Sequence, residues 1–420
     1  MRMSPVVIHH TEQVLREALR FAGPADAILS RYFRDNPKLG SRERGLVAEA
    51  IYAILRNKLV YTNFAESGVG PAMRRMALMG LADTAGVEAI AGLSEEERTW
   101  LERVLRIDRN AMLPQLRANF PKWLFDKLVE KYGQDEALLL MDALNQPAAL
   151  DLRVNTIKAS REDVLAALQA AQIQASPTPY SPLGVRLTGK PALQRVPLFQ
   201  EGAIEVQDEG SQLLALLMAA RRGEMVVDFC AGAGGKTLAL GAAMRNTGRL
   251  YAFDVSEKRL SKLKPRLARS GLSNVHPTVI AHENDAKVKR LAGKIDRVLV
   301  DAPCTGLGTL RRNPDMKWRQ TPEAVAEMNV KQASILASAS RLVKPGGRLV
   351  YATCSILDEE NEDIVTSFLA AHPDFLLLPV EQVLAEHKIS LDVQKYLKLA
   401  PHQHRTDGFF AAVMERKKAV

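Results

Sequence analysis

The chain has 420 residues, enough for two or three domains and a large core, and its 47% hydrophobic and 25% charged residues are ordinary for a water-facing globular protein. With 57 basic and 48 acidic residues, the net charge of +9 suits a polyanionic partner such as nucleic acid. Three scattered cysteines exclude a disulfide scaffold, no His/Cys cluster has metal-site spacing, and no run approaches the ~18 apolar residues of a membrane helix, so a monomeric, cytoplasmic protein with no metal and no membrane partner is expected.

Residues 1–145 read as helix after helix. Thr11 is placed to cap a helix running to about Phe21, and Ser41 to cap the next, where Val47, Ile51, Ile54 and Leu55 recur at helical spacing. Ser94-Glu-Glu-Glu97 has capping-box form ahead of Trp100 and Leu101, and Pro121 opens a further helix reaching about Tyr132. Arg42, Arg44 and Arg56 read as a solvated helix surface, with an RNA-facing role as the alternative.

Near Leu150 the pattern changes. Residues 150–155 alternate like a strand, Ser160 to Asp163 caps a helix, and a proline-rich turn leads to a strand from Gly184. Residues 146–212 are therefore read as a small α+β subdomain that contacts RNA, or else as a linker packed on the next domain. From 213 to 420, strands at 225–229, 249–254, 277–281, 297–301 and 347–353 alternate with helices, and 375–378 and 408–414 supply two more strands. This alternation predicts an α/β, Rossmann-like, doubly wound sheet.

The first of these strands runs into Cys230-Ala231-Gly232-Ala233-Gly234-Gly235-Lys236-Thr237. A backbone without Cβ atoms lets a ligand approach closely at a helix N-terminus. A P-loop would need glycine where Cys230 stands, and the glycine spacing does not match a dinucleotide fingerprint. The remaining reading is a nucleoside-type cofactor. Asp254, at the end of the second strand, suits both ribose hydroxyls, and Asp285, after the third, suits an adenine amino group. Asp301 closes the fourth strand, so one carboxylate follows each successive strand end.

Cys304 follows Asp301 on the same edge and looks at first like a nucleophile. Cys354 ends the fifth strand, one strand over if the fourth and fifth are neighbours. Carbon 5 of a pyrimidine is a poor nucleophile, and adding a thiolate to carbon 6 makes it enolate-like and able to attack an electrophilic methyl. That chemistry calls for a reactive cysteine, an acid near ring N3 and a base. Asp301 is placed to be the acid, while spacing alone does not rank the two thiols.

The motifs Asp228-Phe-Cys230-Ala-Gly-Ala-Gly-Gly-Lys236-Thr, Asp301-Ala-Pro-Cys304-Thr-Gly, Arg311-Arg312-Asn-Pro-Asp-Met-Lys317-Trp318, Tyr351-Ala-Thr-Cys354-Ser with Glu359-Glu360-Asn361, and Asp407-Gly-Phe-Phe resemble those of the RNA cytosine-5 methyltransferases of the bacterial 16S rRNA methylase and eukaryotic nucleolar-protein family. The resemblance runs from about Phe120 to the C-terminus. It implies a class I methyltransferase domain that binds S-adenosyl-L-methionine through the Cys230–Lys236 loop, Asp254, Asp285 and Asp301. It further implies Cys354 as nucleophile and Cys304 as the thiol that helps release the methylated base. The substrate it implies is RNA, with 16S rRNA favoured and tRNA the runner-up; a P-loop nucleotidase and a non-catalytic RNA-binding protein are the alternatives from other classes.

The family loop usually carries Ala-Pro where Gly232-Ala233 stand here, which is expected to loosen it slightly. The N-terminal part resembles the family's antitermination-factor-like RNA-binding helical domain only loosely, best over 41–56. Arg311, Arg312, Lys317 and Trp318, which follow Cys304 directly, are the expected RNA contacts. A second candidate is a basic stripe of Lys258, Lys262, Arg266 and Arg269 along one helix that Pro265 should kink, with a plain solvated face as the equal alternative.

Overall fold

The computed structural model describes residues 3–189 and 191–418. It contains two compact units. One comprises the residues up to Pro147 together with Thr309–Pro322, and the other Ala148–Gly308 together with Glu323 onward.

The first unit is helical, with Pro5–Ala18, Ala25–Asp35, Ser41–Arg56, Ala72–Ala85 and Glu95–Leu105 around one apolar core. Val47, Ile51, Ile54 and Leu55 are fully buried in it, as their spacing requires. The Ser94–Glu97 capping box forms in both directions: Glu97 N donates to Ser94 Oγ at 3.1 Å, and Ser94 N to Glu97 Oε2 at 3.0 Å. Two expected caps move. Ser4 caps the first helix, while Thr11 is buried inside it and donates to Val7 O at 2.8 Å, because a threonine hydroxyl can satisfy the carbonyl one turn back. Ser41 is the first helical residue and Gly40 the cap.

The segment after the Pro-Cys motif was expected to face RNA, but it is built into this helical unit. Lys317 is fully enclosed. Its ammonium donates to Asn145 Oδ1 at 2.6 Å and Arg56 O at 3.2 Å, and lies 4.7 Å from the Phe120 ring centroid. Burial, with the nearby Arg56 charge, pulls its pKa well below the usual lysine range. Trp318 Nε1 donates to Leu55 O at 2.8 Å, and Lys58 sits 4.7 Å over the Trp318 ring. Lys317 therefore presents no surface to a phosphate, which corrects its expected role, and Trp318 is committed to packing. Arg311 donates to Pro147 O and Arg312 is half-buried. Arg56 is turned inward onto Arg311 O at 3.0 Å.

The second unit opens with a four-stranded antiparallel sheet of β1 (Leu150–Val154), β2 (Ala175–Pro177), β3 (Gly184–Leu187) and β4 (Ile204–Val206), in the order β2-β3-β1-β4. Val164 and Leu168 of the helix Arg161–Ala170 cover its apolar face. Ser160 caps that helix as expected, accepting from Asp163 N at 3.1 Å.

The main sheet follows with β5 (Met225–Asp228), β6 (Arg249–Asp254), β7 (Val275–Val279), β8 (Ile295–Asp301), β9 (Val343–Thr353), β10 (Phe375–Leu378), β11 (Leu397–Leu399) and β12 (Phe409–Arg416). Its order is β10-β12-β9-β8-β5-β6-β7, with β11 also on β12. Strands β5 to β9 pair in parallel, and β12 runs antiparallel to β9. Both faces are covered. Val298 and Val300 point into one core and Leu299 into the other, which is why the run lacks polar alternation. This is the Rossmann-like methyltransferase architecture. Strand β9 starts at Val343, ahead of the expected 347, and takes in Lys344–Gly347 where the register slips between Ile295/Val343 and Arg297/Arg348.

In place of one kinked helix the stripe falls on two, Glu257–Leu260 and Leu263–Ser270, broken one turn ahead of Pro265, whose ring clashes with the carbonyl four residues back. Arg266 and Arg269 both pair with Glu205, at 3.0 and 2.6 Å, so half of the expected phosphate track ties the small sheet to the main one. Among the described residues, no helix is long and apolar enough to cross a membrane.

Candidate active site

Parallel strands carry their carboxyl ends to one edge, and β6, β5, β8 and β9 are consecutive there. The glycine loop after β5, Asp254 at the end of β6, Asp301 with Cys304 after β8, and Cys354 after β9 meet along that edge. Asp285 lies in the loop after β7.

The loop from Cys230 to Gly234 turns through two left-handed glycines, Gly232 at φ 57° and Gly234 at φ 82°. Glycine adopts that region without the penalty a Cβ brings, so the Ala-to-Gly departure at 232 matches the observed turn. A Cβ on Gly232 would meet nothing within 4 Å, which leaves the backbone open to close approach. Gly232 N donates to Asp254 Oδ2 at 2.8 Å, while Asp254 Oδ1 accepts from Ser256 N at 2.7 Å and Arg259 at 3.0 Å. Asp254 thus joins the loop to β6. These residues fit a nucleoside sulfonium: half-buried glycine backbone at a helix start, and a carboxylate one strand over. Asp285 accepts from Ala281 N and Lys287 N, both at 2.8 Å, and these backbone donors lower its pKa. Its side chain shapes its own loop, a role its place in the series did not disclose.

The Lys236 ammonium is 2.7 Å from Asp301 Oδ2. Burial works against its charge, but Asp301, Cys354 and Asp228 outweigh it and its pKa is raised. A lysine spent on Asp301 differs from the phosphate lysine of a P-loop.

Cys304 Sγ and Cys354 Sγ are 3.2 Å apart, and all three cysteines are free. The contact with Cys354 comes first, followed by burial and the Glu360 charge, in pushing the Cys304 thiol well above its usual range. The two sulfurs are within hydrogen-bonding distance of each other, and either thiol can be the donor. Cys230 is held up by burial and by Asp301, Asp228 and Asp254, which makes it an inert thiol. The Cys354 peptide is also gripped from behind. Gly308 N donates to Cys354 O at 2.8 Å and Gly408 N to Gly308 O at 2.8 Å. A Cβ on Gly308 would lie 2.1 Å from Gly408 O.

Sequence reasoning assigned no role to several groups here. Arg153, from β1, is fully enclosed and donates to Gly235 O at 2.7 Å and to Gln207 Oε1, and burial brings its pKa down to about 10. Glu360 and Asn361 were visible only as part of a motif, and Gln332 carried no signal. Asp228 ends β5, fully buried, with Thr237 Oγ1 donating to Oδ2 at 2.6 Å and Oδ1 unpartnered. Burial pushes its carboxyl up to about 7.

An acid whose folded pKa is raised holds a proton that the unfolded chain releases near pH 4. Its contribution to stability is complete below that point and is lost as pH rises through about 7. Asp228→Asn keeps an oxygen for Thr237 and removes the titration. It is expected to gain on the wild type by an amount that grows from pH 4 to 7 toward roughly 4 kcal/mol, readable in denaturant melts at several pH values. A gap between variant and wild type that does not change with pH would contradict this.

The comparisons with known proteins agree with this geometry. Residues 215–415 match the family model described as 16S rRNA methyltransferase RsmB/F, and residues 120–194 match its ferredoxin-like domain. The latter match begins upstream of the expected boundary at 146 and takes in two helices that pack with the helical unit. The "Probable ribosomal RNA small subunit methyltransferase B" of Synechocystis sp. is 31% identical over 96% of this chain and 98% of its own. The crystal structure of PH0851 superposes with a TM-score of 0.78 at 26% identity, covering 99% of this chain and 100% of that one. A methyltransferase homologue from Pyrococcus horikoshii does so with a TM-score of 0.63 at 31% identity, covering 72% of this chain and 97% of that one. On this evidence the chain belongs to the 16S rRNA methyltransferase RsmB/F family, whose methyl donor is S-adenosylmethionine.

Proposed function

We propose that the protein methylates carbon 5 of a cytosine in 16S rRNA through a covalent adduct to Cys354. The observation that carries this reading is the pair of thiols 3.2 Å apart on adjacent strand ends, beside the Lys236–Asp301 pair. The name of the Synechocystis relative supports the choice of rRNA.

The Cys354 thiol gives its proton to solvent as its sulfur bonds to carbon 6, and the electron pair of the C5–C6 double bond is displaced through the ring toward N3. Asp301, an acid that Lys236 can reprotonate, hands a proton to N3 so that no negative charge remains there, and N3 returns it when the C6–S bond breaks. When bound, S-adenosylmethionine would supply an electrophilic methyl to carbon 5 and would leave as the neutral thioether. The loop 230–236 and Asp254 hold that cofactor, with Asp285 shaping the neighbouring loop.

Once Cys354 is bonded to carbon, its sulfur no longer opposes ionisation of Cys304. Cys304 gives its proton to solvent, accepts the proton from carbon 5, and the C6–S bond breaks to restore the double bond. A base inside folded RNA must leave its stack to reach Cys354. Of the expected contacts, the half-buried Arg311 and Arg312 are the ones we retain for RNA.

Bisulfite mapping of rRNA and tRNA, with and without the protein, tests this. One protected cytosine in 16S rRNA that depends on the protein is the expected result. Protection confined to tRNA would overturn the substrate, and methyl incorporation without any protected cytosine would overturn the chemistry.

A further inference from the structure

We propose that Glu360 is a positioning residue that sets the separation of the two thiols by binding the residue after each of them. Thr305 follows Cys304 and Ser355 follows Cys354. Glu360 Oε1 accepts from Thr305 N at 2.8 Å, Oε2 accepts from Thr305 Oγ1 at 2.5 Å, and Ser355 Oγ donates to the same Oε2. Gln332 Nε2 donates to Oε1 at 3.0 Å and to Pro303 O at 2.9 Å, so it fixes the residue before Cys304 as well. One carboxylate therefore spans the loops after β8 and β9.

Glu360 is wholly buried, and among the described residues no cation pairs with it. A buried carboxylate without a counter-charge is costly and is retained only where strong hydrogen bonds satisfy it. All of the side-chain partners that satisfy this one lie on the two cysteine loops or on Gln332, which binds one of them. The backbone around it is held as well: Tyr351 donates to Glu360 O at 2.7 Å, and Asn361 binds Thr353 Oγ1 at 2.5 Å and Ser355 O at 3.1 Å. Because the carboxylate is an acceptor only, Thr305 and Ser355 must both turn their hydroxyl protons toward it, which fixes two rotors that water would otherwise scramble. The geometry stands by itself, and its effect on methyl transfer rests on the cytosine-5 reading above.

The test uses the full-length protein with Glu360→Gln, which keeps the shape and loses the charge, and phenylarsine oxide as a probe of thiol proximity. That reagent captures two adjacent thiols by forming two As–S bonds, and its oxygen leaves as water with the two thiol protons. Wild type should capture it tightly and Cys304→Ala should not. Glu360→Gln should capture it about tenfold more weakly and lose about 100-fold in kcat, with the KM for RNA, S-adenosylmethionine binding and melting temperature retained. Removing the Glu360 charge eases ionisation of Cys304, which favours capture, so weaker capture reports the position of the thiols.

Capture and kcat at wild-type levels in Glu360→Gln would overturn the proposal. If Glu360→Gln does not fold, Thr305→Val and Ser355→Ala each remove one hydroxyl from the carboxylate, and wild-type capture in both would overturn it equally. Arsenic capture needs no RNA. Weakened capture alongside a Cys354→Ala variant that still methylates would sink the cytosine-5 reading and leave the positioning role intact.

Discussion

Cys354→Ala is expected to lower methyl transfer to RNA by on the order of 10⁴-fold or more, because it removes the group that makes carbon 5 nucleophilic. The measurement is incorporation of labelled methyl into bulk RNA, with cofactor binding as the control. That binding is expected to persist, since the loop 230–234 and Asp254 are held by bonds in which Cys354 takes no part. The fold is expected to persist too: Cys354 is half-buried, and its backbone, held through Gly308, is unchanged by truncation to Cβ. Wild-type transfer from this variant would remove Cys354 from the chemistry and reopen the case for Cys304.

The second large effect is of opposite kind. Cys304→Ala is expected to trap the enzyme on its substrate as an RNA adduct that survives denaturing electrophoresis, with turnover limited to about one methyl per enzyme. The Cys304 thiol lies 3.2 Å from Cys354 Sγ, close to where carbon 5 of a bound adduct would lose its proton. Without it, addition and methylation proceed and release stalls. Cys304→Ala/Cys354→Ala should form no adduct. A Cys304→Ala complex that dissociates freely under denaturation would count against the release role. Together the two variants separate attack from release, which neither achieves alone.

The strands of the main sheet were legible because each is a short apolar run between turn residues, and because a parallel sheet covered on both faces leaves few polar interruptions. Val298-Leu299-Val300 shows this, with neighbouring residues buried in opposite cores. The Ser94 and Ser160 capping boxes were equally local. Thr11 misled because a threonine ahead of an apolar run reads as a cap, while buried inside a helix it bonds one turn back instead. The fifth strand begins at Val343 rather than the expected 347 because a bulge can absorb Lys344–Gly347 without ending a strand. Lys317 misled more seriously. Basic and aromatic residues beside a catalytic motif suggest RNA, and nothing nearby in sequence announces that Asn145, Arg56 and Leu55 receive them.

The sequence by itself determined the class of fold, the glycine loop, and the set of carboxylates and thiols along one edge, since each follows from local periodicity or from a short motif. How close the two thiols lie, where Lys236 spends its charge, and what ties the two cysteine loops together were decided only by tertiary structure. Those properties arise from pairs far apart in the chain, such as Cys304 with Cys354, Lys236 with Asp301, and Glu360 with Thr305. Hydrogen bonds and charge effects act over a few ångströms, and only folding brings such residues within that range.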